Sequence, residues 1–268
     1  VGSQLSAHPD VDMVSFTGST RAGRLITKAG ADTIKRVSLE LGGKGANIIF
    51  ADADEKAVKS GVIRCFRNTG QSCNAPSRML VERSRYDQAV EQAAETAAKI
   101  TVGPASEEGR HIGPAVSEAQ FDKIQALIQT GIDEGARLIA GGTGRPENLN
   151  RGFYIRPTVF ADVTPGMTIY REEIFGPVLS ILPFDTEDEA VRIANDTEYG
   201  LTNYIQTEDT EKRRRVARRV RSGMVETNGK GFGQGSPFGG YKQSGNGREG
   251  GTFGLHEFLE TKAVSGWD

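Results

Sequence analysis

Cys73 sits in FRNTGQSCNAPSR, residues 66–78, among small and polar neighbours, and is one of only two cysteines in a chain of 268 residues. Most free cysteines pack as small hydrophobes inside apolar runs. Cys65 fits that pattern, on the apolar face of a predicted helix with Val62 and Phe66, and reads as structural. Cys73 does not. Gln71, Ser72 and Asn74 surround it with amide and hydroxyl groups able to solvate a thiolate, the form in which sulfur is nucleophilic. Gly70 supplies a turn after a predicted helix that ends near Asn68 and Thr69, and a strand at Ser77 pins the far side. The thiol therefore belongs to a loop held between rigid elements, a placement suited to attack on a bound substrate.

A cysteine nucleophile normally works with a base, most often histidine. His8, His111 and His256 stand beside no motif and in no metal-ligand spacing; they read as surface or packing residues, and no metal is expected. The remaining candidate is Glu40 in SLELGGKGAN, at the end of an apolar strand pattern and ahead of a Gly-Gly turn. A carboxylate there is costly to bury ionised, so its pKa should rise toward the range useful to a general base. The alternative is a scaffold ion pair with Lys44. A third stretch, FTGSTRAG (16–23), runs a strand into Gly18, offers Ser19 as an N-cap and places Gly23 in the first turns of a helix. That arrangement turns backbone N–H groups toward a phosphate, although a plain capped strand-to-helix turn can be written with the same residues.

The elements that must position these groups alternate along the chain. Strands are predicted over 12–18, 35–41, 46–51, 77–84, 137–142, 154–163, 177–184, 200–208 and 223–228. Helices are predicted over 20–30, 54–68, 85–100, 117–136, 186–196 and 210–221. The alternation predicts an α/β architecture around a largely parallel sheet flanked by helices. GGTGRPENLNRG (141–152) reads as a surface loop, and NGKGFGQGSPFGGYKQSGNGREGG (228–251) as too Gly-rich for regular structure,. A Gly-rich stretch of that length is more often functional than idle. In EKRRRVARRVR, Val216 and Val220 mark an amphipathic surface helix with a solvated basic face, rather than a nucleic-acid patch,.

Bulk properties narrow the classes. With 33 Lys and Arg against 35 Asp and Glu, nothing in the charge calls for nucleic acid or an anionic membrane,. No apolar run approaches transmembrane length, and two cysteines build no disulfide framework, so the expected address is a reducing cytoplasm,. The chain opens on VGSQLSAHPDVDMV without an initiator Met, which reads as a fragment or a processed chain.

FTGSTRAG, LELGGKGANIIF, FRNTGQSCNAPSR, EEIFGPV (172–178) and NGKGFGQGSPFGGYKQSGNGRE occur in an order and spacing that resembles the aldehyde dehydrogenase superfamily, essentially from end to end. The resemblance implies oxidation of an aldehyde to a carboxylic acid with NAD or NADP. By it, Cys73 resembles the nucleophile and Glu40 the base that activates the deacylating water. Gly18, Ser19 and Gly23 resemble the pyrophosphate turn, the Leu41 backbone the group that holds the nicotinamide amide, Glu173 the carboxylate on the nicotinamide ribose, and Phe175 the aromatic beside the ring. Phe232 and Phe238 resemble the aromatic wall of the aldehyde tunnel, with ordinary packing as the alternative. A Glu at position 40 implies hydrolysis of the acyl-enzyme rather than transfer to coenzyme A.

The resemblance also implies three segments: 1–44 as the end of a Rossmann-like dinucleotide-binding domain, 45–245 as the thiol-bearing catalytic domain, and 246–268 as a C-terminal helix and oligomerisation strand. It implies a homo-oligomer, dimer or tetramer, in the full-length form. Most of the adenosine site, an Asn donor for the oxyanion, and the residues that choose between NAD and NADP would then lie outside this chain. Two other readings stay open: a truncated fragment without dehydrogenase activity, and a cofactor-independent cysteine hydrolase, since Cys73, Glu40 and Lys44 resemble in part the Cys, Glu, Lys set of nitrilase-like amidases.

Overall fold

The computed structural model describes residues 1–266. In chain order the first elements are α1 (Gly2–Ala7), β1 (Met13–Thr17), α2 (Thr20–Gly30), β2 (Arg36–Glu40), β3 (Ala46–Ile49), α3 (Ala57–Phe66), β4 (Arg78–Glu82) and α4 (Tyr86–Ala98). There follow α5 (Glu118–Asp133), β5 (Arg137–Ala140), β6 (Thr158–Ala161), α6 (Thr168–Arg171), β7 (Val178–Phe184) and α7 (Glu187–Asn195). The chain closes with β8 (Thr202–Gln206), α8 (Thr210–Arg219), β9 (Met224–Thr227), β10 (Gly245–Asn246) and α9 (Gly251–Glu257).

The strands form a seven-stranded sheet in the order β5-β6-β7-β4-β3-β8-β9 and a three-stranded sheet in the order β1-β2-β10. In the larger sheet every pairing is parallel except β5 with β6. Central parallel strands are covered on both faces, so their residues are apolar in near-continuous runs rather than alternating with polar ones. Period-two geometry then sorts neighbours to opposite cores. Ile48, Leu80 and Leu182 enter one core with α5, α6, α7 and α8, whereas Ile49, Met79, Val81 and Ile181 enter the other with α3 and α4. Cys65 lies in the second core, 1% exposed, and burial pushes its thiol up to about 12.

Helix starts follow their caps. Ser19, Ser117 and Thr186 accept from the backbone N–H groups of Ala22, Gln120 and Glu189, and Asp209 accepts from those of Glu211 and Lys212, satisfying donors that a helix leaves unpaired. The basic face of α8 is solvated and also paired: Arg215 meets Glu187, and Arg219 meets Glu187 and Asp188, in the acidic first turn of α7. Val216 and Val220 face the core as expected.

Residues 228–251 depart from the expectation of no regular structure. β10 pairs antiparallel with β2, setting Gly245 opposite Glu40 and Asn246 opposite Leu39. The expected boundary between 245 and 246 falls within this two-residue strand. After α9, residues 261–266 carry neither helix nor strand, and Trp267 and Asp268 of the expected terminal strand lie outside the described residues.

Arg78, at the start of β4, is fully buried and donates to the carbonyls of Lys44, Ile193 and Ala194 at 2.9–3.0 Å. It ties the entry of β3 to the last turn of α7, where free carbonyls carry partial negative charge. Arg78→Met removes all three bonds and strands the Lys44 and Ala194 carbonyls, Ile193 O keeping the Asp196 N–H and the Tyr170 hydroxyl, and should lower unfolding free energy by about 3–5 kcal/mol. A urea titration with an unchanged midpoint would contradict this role.

Candidate active site

Residues 41–45 carry the chain from β2 in one sheet to β3 in the other. Two glycines there permit contacts that no side chain would allow. A Cβ on Gly43 would come within 2.7 Å of the Cys73 carbonyl oxygen, and one on Gly42 would overlap the Glu173 carboxylate. Glu173 Oε1 instead accepts from the Gly43 N–H at 2.8 Å. Glu40, Cys73 and Glu173, far apart in sequence, are gathered around this crossing.

The approach to Cys73 is bent on purpose. After α3 ends, Asn68, Thr69 and Gly70 adopt φ of 54°, 57° and 68°. Two consecutive non-glycine residues in that region cost of order 1–3 kcal/mol each and persist only where the surroundings over-determine them. The surroundings do so here. The Thr69 hydroxyl donates to Gly113 O at 2.9 Å, Gln71 Oε1 accepts from Val116 N at 2.8 Å, and Gln71 Nε2 donates to Asn68 O and Pro114 O. A Cβ on Gly70 would overlap the Gly176 carbonyl, which reserves that position for glycine. Ala75 N–H then closes a turn onto Ser72 O at 3.0 Å, with Cys73 and Asn74 at its centre.

Cys73, Glu40, Gly18, Ser19, Glu173, Phe175 and Phe238 line one cavity of about 600 Å³. Cys73 is half-buried, and burial raises its thiol pKa, with Glu173 and Glu40 adding to the rise and the N–H groups of Asn74 and Cys73 opposing it. Glu40 is 4% exposed, and neither carboxylate oxygen has a hydrogen-bond partner among the described residues. Its pKa is pushed up to about 8, first by burial and then by Glu249, against the lowering effect of Arg248. Lys44 is 2% exposed, and its Nζ also lacks a partner among the described residues, so the scaffold ion pair with Glu40 does not form. Burial, with Arg78 nearby, brings the Lys44 amine down to about 7.

Other expected residues fall into two groups. The Gly18 N–H donates to Glu40 O at 3.0 Å and ties the phosphate-type turn to the acid, while Ser19 Oγ caps α2. Gly23 is not among the residues lining the cavity: it lies where a Cβ would press on the Leu41 side chain, so its smallness serves helix packing. Leu41 is buried beneath α2 and donates its N–H to Ser244 O at 2.9 Å, outside the cavity lining. Phe232 stands 45% exposed and also outside that lining, whereas Phe238 lines it and exchanges backbone hydrogen bonds with Glu249 at 2.7 Å.

Gln120 and Lys123 on α5 line the cavity without having been expected there. Lys123 Nζ donates to Glu173 O at 2.8 Å, and Gln120 Nε2 donates to Ile174 O and Phe175 O at 3.1 and 2.9 Å. Together they hold the EEIFGP segment, including Phe175 at φ 58°. The only trace of them in the sequence is a polar pair at i, i+3 on an amphipathic helix, which resembles any solvated face.

The aldehyde dehydrogenase family profile matches residues 1–264. A 3-succinoylsemialdehyde-pyridine dehydrogenase from a Pseudomonas species is 54% identical over 100% of this chain and 56% of its own length. The crystal structure of an aldehyde dehydrogenase from Bartonella henselae superposes with a TM-score of 0.99 at 66% identity, over 100% of this chain and 56% of that one. A mutant of aldehyde dehydrogenase C from Pseudomonas syringae, solved with NAD+ and octanal, gives 0.96 at 53% identity, over 98% of this chain and 54% of that one. The chain spans about half the length of the curated relatives it matches.

A buried acid whose folded pKa lies above its unfolded value holds a proton that the unfolded chain has released, so it destabilises the fold as pH rises through that window. For Glu40 the window runs from 4.5 to about 8. Relative to wild type, Glu40→Gln should therefore be increasingly stabilising between those limits, by up to about 1.4 kcal/mol per pH unit. Parallel stability curves from denaturant titrations at pH 5 and pH 8 would contradict the raised pKa.

Proposed function

The chain belongs to the aldehyde dehydrogenase family, and on that premise we propose that its protein oxidises an aldehyde to a carboxylic acid with NAD+ or NADP+, using Cys73 as nucleophile and Glu40 as base. The observation that carries this reading is the convergence of an accessible thiol and a buried, unpaired carboxylate on one cavity. Segments 1–44, 45–245 and 246–268 are read as the end of a dinucleotide-binding domain, the catalytic domain and an oligomerisation segment. Exposed Phe253, Leu255, Phe258 and Leu259 in and after α9 support a homo-oligomer, dimer or tetramer,. The reading includes a cytoplasmic address.

The residues present fit the nicotinamide half of a dinucleotide. Thr17, Gly18 and Ser19 bring the start of the 11-residue α2 to the cavity wall, where backbone donors and the helix dipole favour a pyrophosphate. Glu173, pressed against the bare backbone of Gly42, offers carboxylate acceptors to ribose hydroxyls. When bound, the nicotinamide supplies the hydride acceptor.

Cys73 Sγ adds to the aldehyde carbon and forms a tetrahedral thiohemiacetal. The Asn74 and Cys73 N–H groups offset part of the desolvation penalty of the thiolate, and the Cys73 N–H is also a donor for the developing oxyanion. Once the adduct has been oxidised to a thioester on Cys73, Glu40 takes a proton from water as the oxygen attacks the acyl carbon. The acid leaves and the thiol is restored. Burial, which pushes the Glu40 pKa up to about 8, makes its carboxylate a stronger base for taking a proton from water in the transition state,.

Cys73→Ala should abolish nicotinamide reduction with an aldehyde, and Cys65→Ala should cost packing alone. Glu40→Gln should keep a single-turnover burst of reduced nicotinamide while steady-state turnover falls by about 100-fold or more. Stopped-flow absorbance separates the two phases. Equal loss from the two cysteine substitutions, or undiminished steady-state turnover in Glu40→Gln, would overturn the assignment.

A further inference from the structure

Behind the Cys73 turn lies a network that the chemistry above does not use. Tyr204, on β8 and 2% exposed, donates its hydroxyl to the carbonyl oxygen of Asn74 at 2.6 Å. The ring is clamped from the other side: the Arg64 guanidinium carbon lies 4.4 Å from its centroid. Arg64 is held in turn by a two-pronged pair with Glu226, whose Oε2 accepts from Nη2 at 2.6 Å. Glu226 is 2% exposed and sits directly opposite Tyr204 in the β8–β9 ladder. Sheet, helix α3 and active-site loop are thus joined through one phenol.

We propose that Tyr204 is a positioning residue for the Cys73 thiolate, acting through the peptide that follows Asn74. This inference rests on the reading of Cys73 as the nucleophile. A peptide unit is planar, so its carbonyl and the next N–H turn together. In the Asn74–Ala75 unit both ends are fixed: the carbonyl by Tyr204, and the Ala75 N–H by Ser72 O at 3.0 Å. The turn so closed has Cys73 and Asn74 at its two central positions, and their N–H groups are the ones that favour the thiolate. Loss of the phenol frees the peptide to rotate and lets those donors drift from the sulfur. Burial lifts the Tyr204 phenol to about 12, so it is a donor at the pH 7.5 of the comparison below. Glu173 and Glu40 also face Cys73 and disfavour its anion; they are the same in every variant compared below.

The test is the pH profile of iodoacetamide alkylation at Cys73 in the full chain, read by mass spectrometry, with buried Cys65 as the internal unreactive thiol. Tyr204→Phe keeps the ring and removes one neutral hydrogen bond, so the rate at pH 7.5 should fall about fivefold and the titration midpoint should move up. A paired Arg64→Met and Glu226→Gln replacement releases the clamp without stranding a buried carboxylate, and should move the profile the same way by less. A folded Tyr204→Phe protein whose profile overlays wild type overturns the proposal; should that variant fail to fold, an overlaid profile in the paired variant does so. Alkylation needs no aldehyde, so absence of aldehyde oxidation in the wild type would sink the proposed function while this comparison still decided the role of Tyr204.

Discussion

Gly42 and Gly43 are the constraint on which the site depends. They carry the chain from the three-stranded to the seven-stranded sheet, and the missing side chains allow the Glu173 carboxylate and the Cys73 carbonyl to lie directly on the backbone. Each of the three principal groups is anchored by a different part of the fold. Glu40 ends β2 and is braced by β1 and β10, Cys73 rides a turn between α3 and β4, and Glu173 is held by α5. Only where these parts touch without intervening side chains do the groups share one cavity.

The site stores unfavourable electrostatics. A buried carboxylate and a buried amine, both unpaired among the described residues, and a half-buried thiol lie within or close to it, and each is displaced toward its neutral form by burial. Buried polar groups of this kind lower stability unless something compensates. Compensation comes from the surrounding frame, in the two apolar cores of the larger sheet and in Arg78, whose three carbonyl bonds lock β4 to its neighbours. A stable frame can hold groups in states they would not choose alone.

Much of this was legible in the sequence. The helix and strand periods located most of the longer elements, and their alternation gave the parallel sheet. Cys73 stood out because its neighbours are polar, and Glu40 because an acid ended an apolar strand. What stayed hidden depends on long-range contact. β10 is two residues of a Gly-rich segment that become a strand only because β2 offers an open edge. The packing of Gly23 against the Leu41 side chain was also hidden, since a glycine beside a motif is written the same way whether or not a leucine lies on it. Phe232 and Phe238 share one loop, and only the second is turned into the cavity. Gln120, Lys123 and Tyr204 act through backbone carbonyls distant in sequence, for which no local pattern exists.

The most direct measurement is the reactivity of Cys73 in Gly43→Ala. A Cβ there meets a backbone carbonyl, which has no rotamer to escape into. Displacing the thiol by about 1 Å should cost on the order of 100-fold in aldehyde turnover, with a matching change in the rate of Cys73 alkylation and with cooperative unfolding retained. A folded Gly43→Ala protein whose alkylation and turnover equal those of wild type would show that the close approach of these two backbones does not set the position of the sulfur.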